Sequence, residues 1–426
     1  MSQVLVVSTF EGGYQPITVA TALTPLLDSG IDVTALDTYV DGVREELFTE
    51  PELVAIAVPL FDALQSGIAV ARRVRELNPK AHVTFFGQHA TISHSRLAGS
   101  YGDSAINGEW EVPLLALARH LTVEPQSSLP GVVWPGVTEP PAAGKPFMPR
   151  DHFRVPTRHM LPPLYKYPQP QIDKLCGEPK IVGSTEVARG CHHRCLYCSV
   201  FAAYVGKVLL IPEDVVVQDV RQLVAGGMTH LTFIDADFFN AKRHGMKILR
   251  RLHAEFPQLT YDITTRVDHI LENPDAIKEM DGLGVVFITS ALEFPSEAVL
   301  NALDKQTSIE QIEAALAFVR TQTGIKLNPT FIMFNPWIRL EDLATFTSFV
   351  ERNDLEHIID PIQYETRLSL YKGSPLLALP SVQALDLVEE EFRYEWKHPD
   401  PRVDTLYRES LTPVPEGVFK RCCLKC

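Results

Sequence analysis

A belt of prolines divides this chain and limits what either side of it can become. Residues 126–180 carry Pro130, Pro135, Pro140, Pro141, Pro146 and Pro149, then Pro156, Pro162, Pro163, Pro168 and Pro170. Proline at that density removes backbone donors and fixes φ, so regular ladders cannot form there. The belt reads as an extended connector over the surface between two folded units. Its Tyr165 and Tyr167 read as packing groups, not catalysts.

On both sides of the belt, short apolar runs alternate with helical spacing. Before it, strands are expected at 4–8, 31–36, 53–58 and 82–86, with a helix at 16–29 that stops at Gly30 and another through 72–77. After it, strands are expected at 181–188, 230–235, 261–266, 285–290, 327–334 and 363–368. Helices are expected between them at 212–225, 242–256, 309–323 and 340–352. The first pattern predicts a doubly wound Rossmann-like parallel sheet. The second predicts a partial (βα)6 barrel whose reactive end lies at the carboxyl ends of its strands. The expected division is 1–125, the connector 126–180, the barrel 181–380, and a C-terminal extension 381–426. With 426 residues, 45% hydrophobic and 22% charged, the chain has enough apolar material for such cores. A net charge of −14 argues against broad binding to nucleic acid or to an anionic membrane. No apolar run reaches a membrane span. The first residues lack the basic segment of a signal peptide and read as a buried strand.

The seven cysteines fall as 191/195/198, 422/423/426 and Cys176 alone. That grouping suggests metal or redox chemistry in a reducing cytoplasm, not a disulfide framework. Cys191, Cys195 and Cys198 lie on one loop directly after the first barrel strand. Three thiolates in so tight a run suit three irons of a cubane cluster and leave the fourth iron open. A zinc site is the rival reading, although no second Cys pair follows nearby.

Cys-x3-Cys-x2-Cys, with Tyr197 before the last cysteine, resembles the radical S-adenosylmethionine (SAM) superfamily. The resemblance implies a [4Fe-4S] cluster on Cys191, Cys195 and Cys198, whose open iron binds the amino and carboxylate groups of SAM beside Tyr197. It also implies a reductant such as flavodoxin or ferredoxin. The natural SAM contacts are polar groups at the other strand ends. Asp235 and Asp237 follow the second strand, where the superfamily commonly has Gly-Gly-Glu; either could accept from the ammonium, and an N-cap is the plainer role. Thr265 and Arg266 end the third strand, with Arg266 suited to a carboxylate or to an internal salt bridge. Ser290 and Glu293 follow the fourth, where a carboxylate could take ribose hydroxyls. Arg367 in the sixth points into the barrel or away from it. His192 and His193 read as neighbours of the cluster, not ligands.

Residues 86–91 and 107–111 resemble the cobalamin-binding-like N-terminal domain found on many radical SAM enzymes. Such domains often carry Asp-x-His-x-x-Gly. This chain has none, and residues 9–15 include no histidine, which argues against cobalamin with a His ligand and for a structural cap, with cobalamin bound without that ligand as the alternative.

The chain ends Phe-Lys-Arg-Cys422-Cys423-Leu-Lys-Cys426. Lys420, Arg421 and Lys425 favour thiolate, and thiolates select soft or thiophilic ions. A thiophilic substrate, a second cluster, a zinc ion or disulfide exchange would each use such a tail. Three thiolates are one short for a closed four-cysteine site and match a trigonal trivalent arsenic centre. The string resembles the tail of the RCCLKC-tail radical SAM subfamily, which includes an enzyme of arsinothricin biosynthesis. That resemblance implies transfer of the 3-amino-3-carboxypropyl group of SAM to arsenite, with methylthioadenosine released. Two alternatives remain: 5′-deoxyadenosyl radical chemistry with the tail on an auxiliary centre, or a non-enzymatic metalloid carrier.

Overall fold

The computed structural model describes residues 3–136 and 150–411, so the tail cysteines 422, 423 and 426 lie outside the described residues. In the N-terminal unit, β1 (Val4–Ser8) and β3 (Leu53–Ala57) are buried along their whole length. A strand covered by helices on both faces reads as an unbroken apolar run, which is why these two were legible. With β2 (Val33–Asp37), β4 (His82–Phe86), β5 (Ser104–Ile106) and β6 (Val132–Val133) they form a sheet of order β2-β1-β3-β4-β5-β6. All pairs are parallel except β5 with β6. Helices Ile17–Asp28, Asp62–Leu77, Gln88–Ser100 and Glu111–Thr122 cover it. The order reverses between β1 and β3, so a crevice opens at their carboxyl ends.

The described part of the proline-rich stretch straps this sheet to the next. Tyr167 is buried and donates to Asp37 at 2.6 Å, and Gln169 donates to the Gly13 carbonyl at 2.6 Å. Arg158 pairs with Asp219 through Nε and Nη2, both at 2.8 Å, with both side chains buried. Tyr165 is exposed.

The second sheet runs β7 (Val182–Thr185), β10 (His230–Phe233), β11 (Thr260–Thr264), β12 (Val285–Glu293) and β13 (Lys326–Phe331), all parallel and in sequence order. A hairpin of β8 (Ala188–Gly190) and β9 (Val208–Leu210) extends from its first strand. The expected sixth strand shrinks to one parallel bridge, Phe334 with Arg367. Pro361 starts a 3-10 turn over Pro361–Glu365 in its place. The α/β architecture expected from the alternation is present in both units. The chain then adds an antiparallel sheet of β14 (Leu370–Tyr371), β15 (Asp386–Glu389) and β16 (Arg393–Lys397), ordered β14-β16-β15. Arg367 turns away from the main sheet toward these additions. Its guanidinium lies 3.7 Å from the Trp396 ring centre and donates to Asp404 at 2.9 Å.

Candidate functional site

The cysteine loop is held at its root by two devices. Asp235 accepts from the backbone N–H of Val187 at 3.0 Å and of Ala188 at 2.7 Å. Gly190 has φ +85, and a Cβ there would sit 2.2 Å from the Lys207 carbonyl oxygen, so only glycine fits. Beyond Gly190 the chain turns out through Cys191, Cys195 and Cys198 and re-enters as the helix Ser199–Tyr204. All three cysteines line one cavity. Cys191 Sγ lies 3.8 Å from Asn240 Oδ1, and Arg266 Nη1 lies 3.5 Å from Cys195 Sγ. Burial pushes the Cys191 thiol up and the Cys198 thiol up to about 11. Thiols so placed ionise when an ion compensates them, as a ligand set requires. Among the described residues, the only His/Cys/carboxylate trio with ligand atoms within 4.8 Å of one another is His192, His193 and His269. The thiols are not gathered as tightly as one tetrahedral zinc demands, and their spread around a shared cavity fits a multi-iron cluster.

The cavity holds about 220 Å³ at the carboxyl ends of β10 to β13. Asp237, Thr265, Arg266 and Glu293 line it, as does Tyr197. Glu293 is buried, with φ +62, and its carboxylate accepts from Lys305 Nζ at 2.6 Å and from the Tyr197 hydroxyl. Lys305 also donates to the Tyr197 oxygen at 3.1 Å. Asp304 and Gln306, on either side of Lys305, both have positive φ. Strain at three non-glycine residues around one ion pair marks a geometry the surroundings impose. Asp237 is an N-cap that accepts from Phe239 N–H at 3.0 Å, and Thr265 donates to the same oxygen at 2.7 Å. Burial alone would raise its carboxyl, but His193, His269 and Thr265 outweigh it and hold the group well below the usual carboxylate range. Arg266 takes the internal salt bridge with Asp268, at 2.9 Å, while keeping its edge on Cys195.

Two expected contacts fall elsewhere. Asp235 faces the cysteine-loop backbone, not the cavity, because both its oxygens are engaged there. Ser290 is buried on the opposite face of β12, since Phe287, Thr289, Ala291 and Glu293 take the cavity side by strand alternation. Ser290 and Glu293 differ in parity, a signal present in the sequence. Lys305 and His269 escaped the sequence reading; neither sits in a motif or at a strand end.

At the crevice between β1 and β3 the N-terminal unit faces the cysteine loop. Glu11, Leu60, Gln88 and Trp110 oppose Glu186, Arg189 and Ala236 around a cavity of about 130 Å³. That space holds only a few waters. A corrin macrocycle therefore fits the position but not the volume left in this packing. Arg189 lies 4.5 Å from the Trp110 ring centre and pairs with Glu109, Glu111 and Glu186, at 2.6, 2.6 and 2.5 Å.

The radical SAM superfamily profile matches residues 185–344. Among curated proteins, the chain is 24% identical to a hopanoid C-3 methylase of Methylococcus capsulatus, over 76% of this chain and 62% of that protein. It is 22% identical to an anaerobic magnesium-protoporphyrin IX monomethyl ester cyclase of Rubrivivax gelatinosus, over 71% and 55%. The chain thus spans less than two thirds of these relatives. Among solved structures, the methyltransferase TsrM of Kitasatospora setae, with tryptophan and a SAM analogue bound, matches at a TM-score of 0.71 and 18% identity. That match covers 88% of this chain and 74% of TsrM. The enzyme OxsB, with aqua-cobalamin and SAM bound, matches at 0.73 and 14% identity, over 96% and 66%. TsrM is also known with cobalamin and a [4Fe-4S] cluster bound. These neighbours correct the expectation drawn from the missing Asp-x-His-x-x-Gly. TsrM and OxsB share this architecture and are known with cobalamin bound, so the lack of that motif does not argue against it. No helix among the described residues is long and apolar enough to cross a membrane.

Proposed function

We propose that this chain, which belongs to the radical SAM superfamily, transfers the 3-amino-3-carboxypropyl group of SAM to trivalent arsenic and releases methylthioadenosine. One observation carries the substrate half: three cysteines in the last five residues, flanked by Lys420, Arg421 and Lys425. Cys422, Cys423 and Cys426 would deliver arsenite as a thiolate complex, a pairing of soft donor and thiophilic acceptor. Support for the SAM half is the polar cavity shared by the three loop cysteines and the Glu293–Lys305–Tyr197 network. Cys191, Cys195 and Cys198 would hold a [4Fe-4S] cluster, which supplies one electron to SAM when bound.

The residues around that cavity have distinct tasks in this reading. Glu293, paired with Lys305, accepts from ribose hydroxyls. Arg266, fixed by Asp268 and the Lys305 carbonyl against Cys195, keeps one Nη1 N–H for a carboxylate. The buried walls keep water from a reactive carbon species, and a thiolate-held arsenic meets it at high effective concentration. Breaking the sulfonium S–C bond and forming the C–As bond takes As(III) to As(V) with no net electron uptake, so the expected product is 2-amino-4-(dihydroxyarsinoyl)butanoate; its trivalent precursor forms where the reductant adds two electrons. A ferredoxin or flavodoxin is the proposed electron donor.

A second reading, cobalamin-dependent methyl transfer, is favoured by the likeness to the hopanoid methylase and to TsrM. The two separate on one experiment. Anaerobic reconstituted protein is given SAM, dithionite, cobalamin and arsenite, and the products are weighed by mass spectrometry. Methylthioadenosine with an arsenic-containing amino acid supports the first reading. A methylated product supports the second. 5′-Deoxyadenosine alone overturns both.

A further inference from the structure

Outside the cysteine set, His192, His193 and His269 bring one ring nitrogen each within 4.8 Å of one another. The rings of His192 and His193 lie 4.2 Å apart centre to centre, and those of His193 and His269 lie 5.0 Å apart. Asp237 flanks the group. Its Oδ1 is fixed by Thr265 and the Phe239 N–H, which aims Oδ2 at the histidines. Oδ2 lies 2.9 Å from His269 Nδ1 and 3.5 Å from His193 Nε2.

These short separations are not hydrogen bonds. Asp237 Oδ2, His193 Nε2 and His269 Nδ1 are all buried atoms without a hydrogen-bond partner. A simple His–Asp pair would align a ring N–H with the carboxylate oxygen, and neither ring does so. Ligand atoms about 2.0–2.2 Å from a common ion stand at most about 4.4 Å apart, and the three ring nitrogens already lie within 4.8 Å of one another. We infer that His192, His193 and His269 form a site for one divalent first-row transition cation, separate from the cysteine ligands, with the Asp237 carboxylate beside it. Three imidazoles suit zinc or ferrous iron, and they discriminate against the soft ions that thiolates select. His192 is exposed, which gives the ion an entry path. The ion would tie the loop between Cys191 and Cys195 to the helix Val267–Glu272. It would also leave Asp237 facing two of the ion's histidines, not the ammonium of SAM.

The test uses full-length reconstituted protein, dialysed anaerobically against zinc and assayed for metal per chain. The expected result is one ion beyond the cluster iron. His269→Ala should weaken its retention by about 100-fold and His192→Ala by about tenfold, spanning the range that losing even a partner of a metal ligand costs. Because His192 is exposed, His192→Ala tests the site even if His269→Ala fails to fold. A chain ending before Cys422 should keep the ion, which separates this site from the tail. Cobalt in place of zinc should show d–d bands without sulfur-to-cobalt charge transfer. No extra ion in the wild type overturns the site. So does wild-type retention in both histidine variants, loss of the ion with the tail, or a thiolate charge-transfer band.

Discussion

The carboxyl ends of the two parallel sheets face each other across the cysteine loop, and they treat buried charge in opposite ways. At the second sheet Glu293 is matched by Lys305, and Asp237 Oδ1 by Thr265 and the Phe239 N–H. At the crevice, Glu109 and Glu111 of the N-terminal unit and Glu186 of the second converge on Arg189, Tyr204 also donates to Glu109, and among the described residues Glu11 is hydrogen-bonded by Thr18. Burial pushes Glu11 up to about 7 and Glu109 up to about 7, and it raises Glu186 too. Ionised, paired groups are preorganised for a charged ligand. Carboxyls poised near neutrality mark a crevice whose charge changes with pH or with what enters it. The difference suits the second sheet to a charged ligand and leaves the crevice as the adaptable side.

Breaking the ordered side should give the largest effects. Replacing Cys191, Cys195 or Cys198 with Ala leaves two anchors for a cubane, so the iron–sulfur absorption and reductive SAM cleavage should both vanish. A single variant with full iron content and activity would contradict the cluster assignment. Lys305→Met strands a buried Glu293, and breaking such a pair should cost about 3–5 kcal/mol in denaturant unfolding. A loss under roughly 1 kcal/mol would mean that Glu293 reaches water.

The crevice makes a smaller, pH-dependent prediction. Glu11 is raised from 4.5 to about 7 mainly by burial, so the folded chain keeps a proton the unfolded chain has released. Stability should fall as pH rises from 4.5 through about 7, by roughly 3 kcal/mol for this group. Glu11→Gln should flatten that slope in melts taken across the window; an unchanged slope would place the titration elsewhere. The smallest effect is expected at the root of the loop. Asp235→Asn turns one acceptor into a donor facing a backbone N–H and should cost about 1–3 kcal/mol. It should also speed iron loss to a chelator, and unaltered iron retention would argue that Asp235 does not brace the loop.

What the sequence revealed follows the range of the forces involved. Strands such as β3 and the helix Leu340–Arg352 were legible because apolar periodicity is local. The cysteine loop was legible because its spacing is itself the ligand geometry. Lys305 pairs with Glu293 across a helix and two turns, and Arg189 gathers Glu109 and Glu111 from the other unit; nothing local encodes either contact. Ser290 was misplaced because its strand was read without its alternation, which Glu293 already determined. β5, three residues long, carries too little pattern to be seen. The terminal Cys422, Cys423 and Cys426 remain a sequence argument, since they lie outside the described residues.

The most direct test asks which carbon of SAM reaches the substrate. Two batches of SAM, isotopically labelled in the methyl group or in the aminocarboxypropyl chain, are turned over anaerobically with arsenite, reductant and cobalamin. The account predicts that the arsenic product carries the aminocarboxypropyl label alone, and that a chain ending before Cys422 still releases methylthioadenosine but forms no arsenic product. Label from the methyl group in the product, or full product formation without the tail, would contradict it.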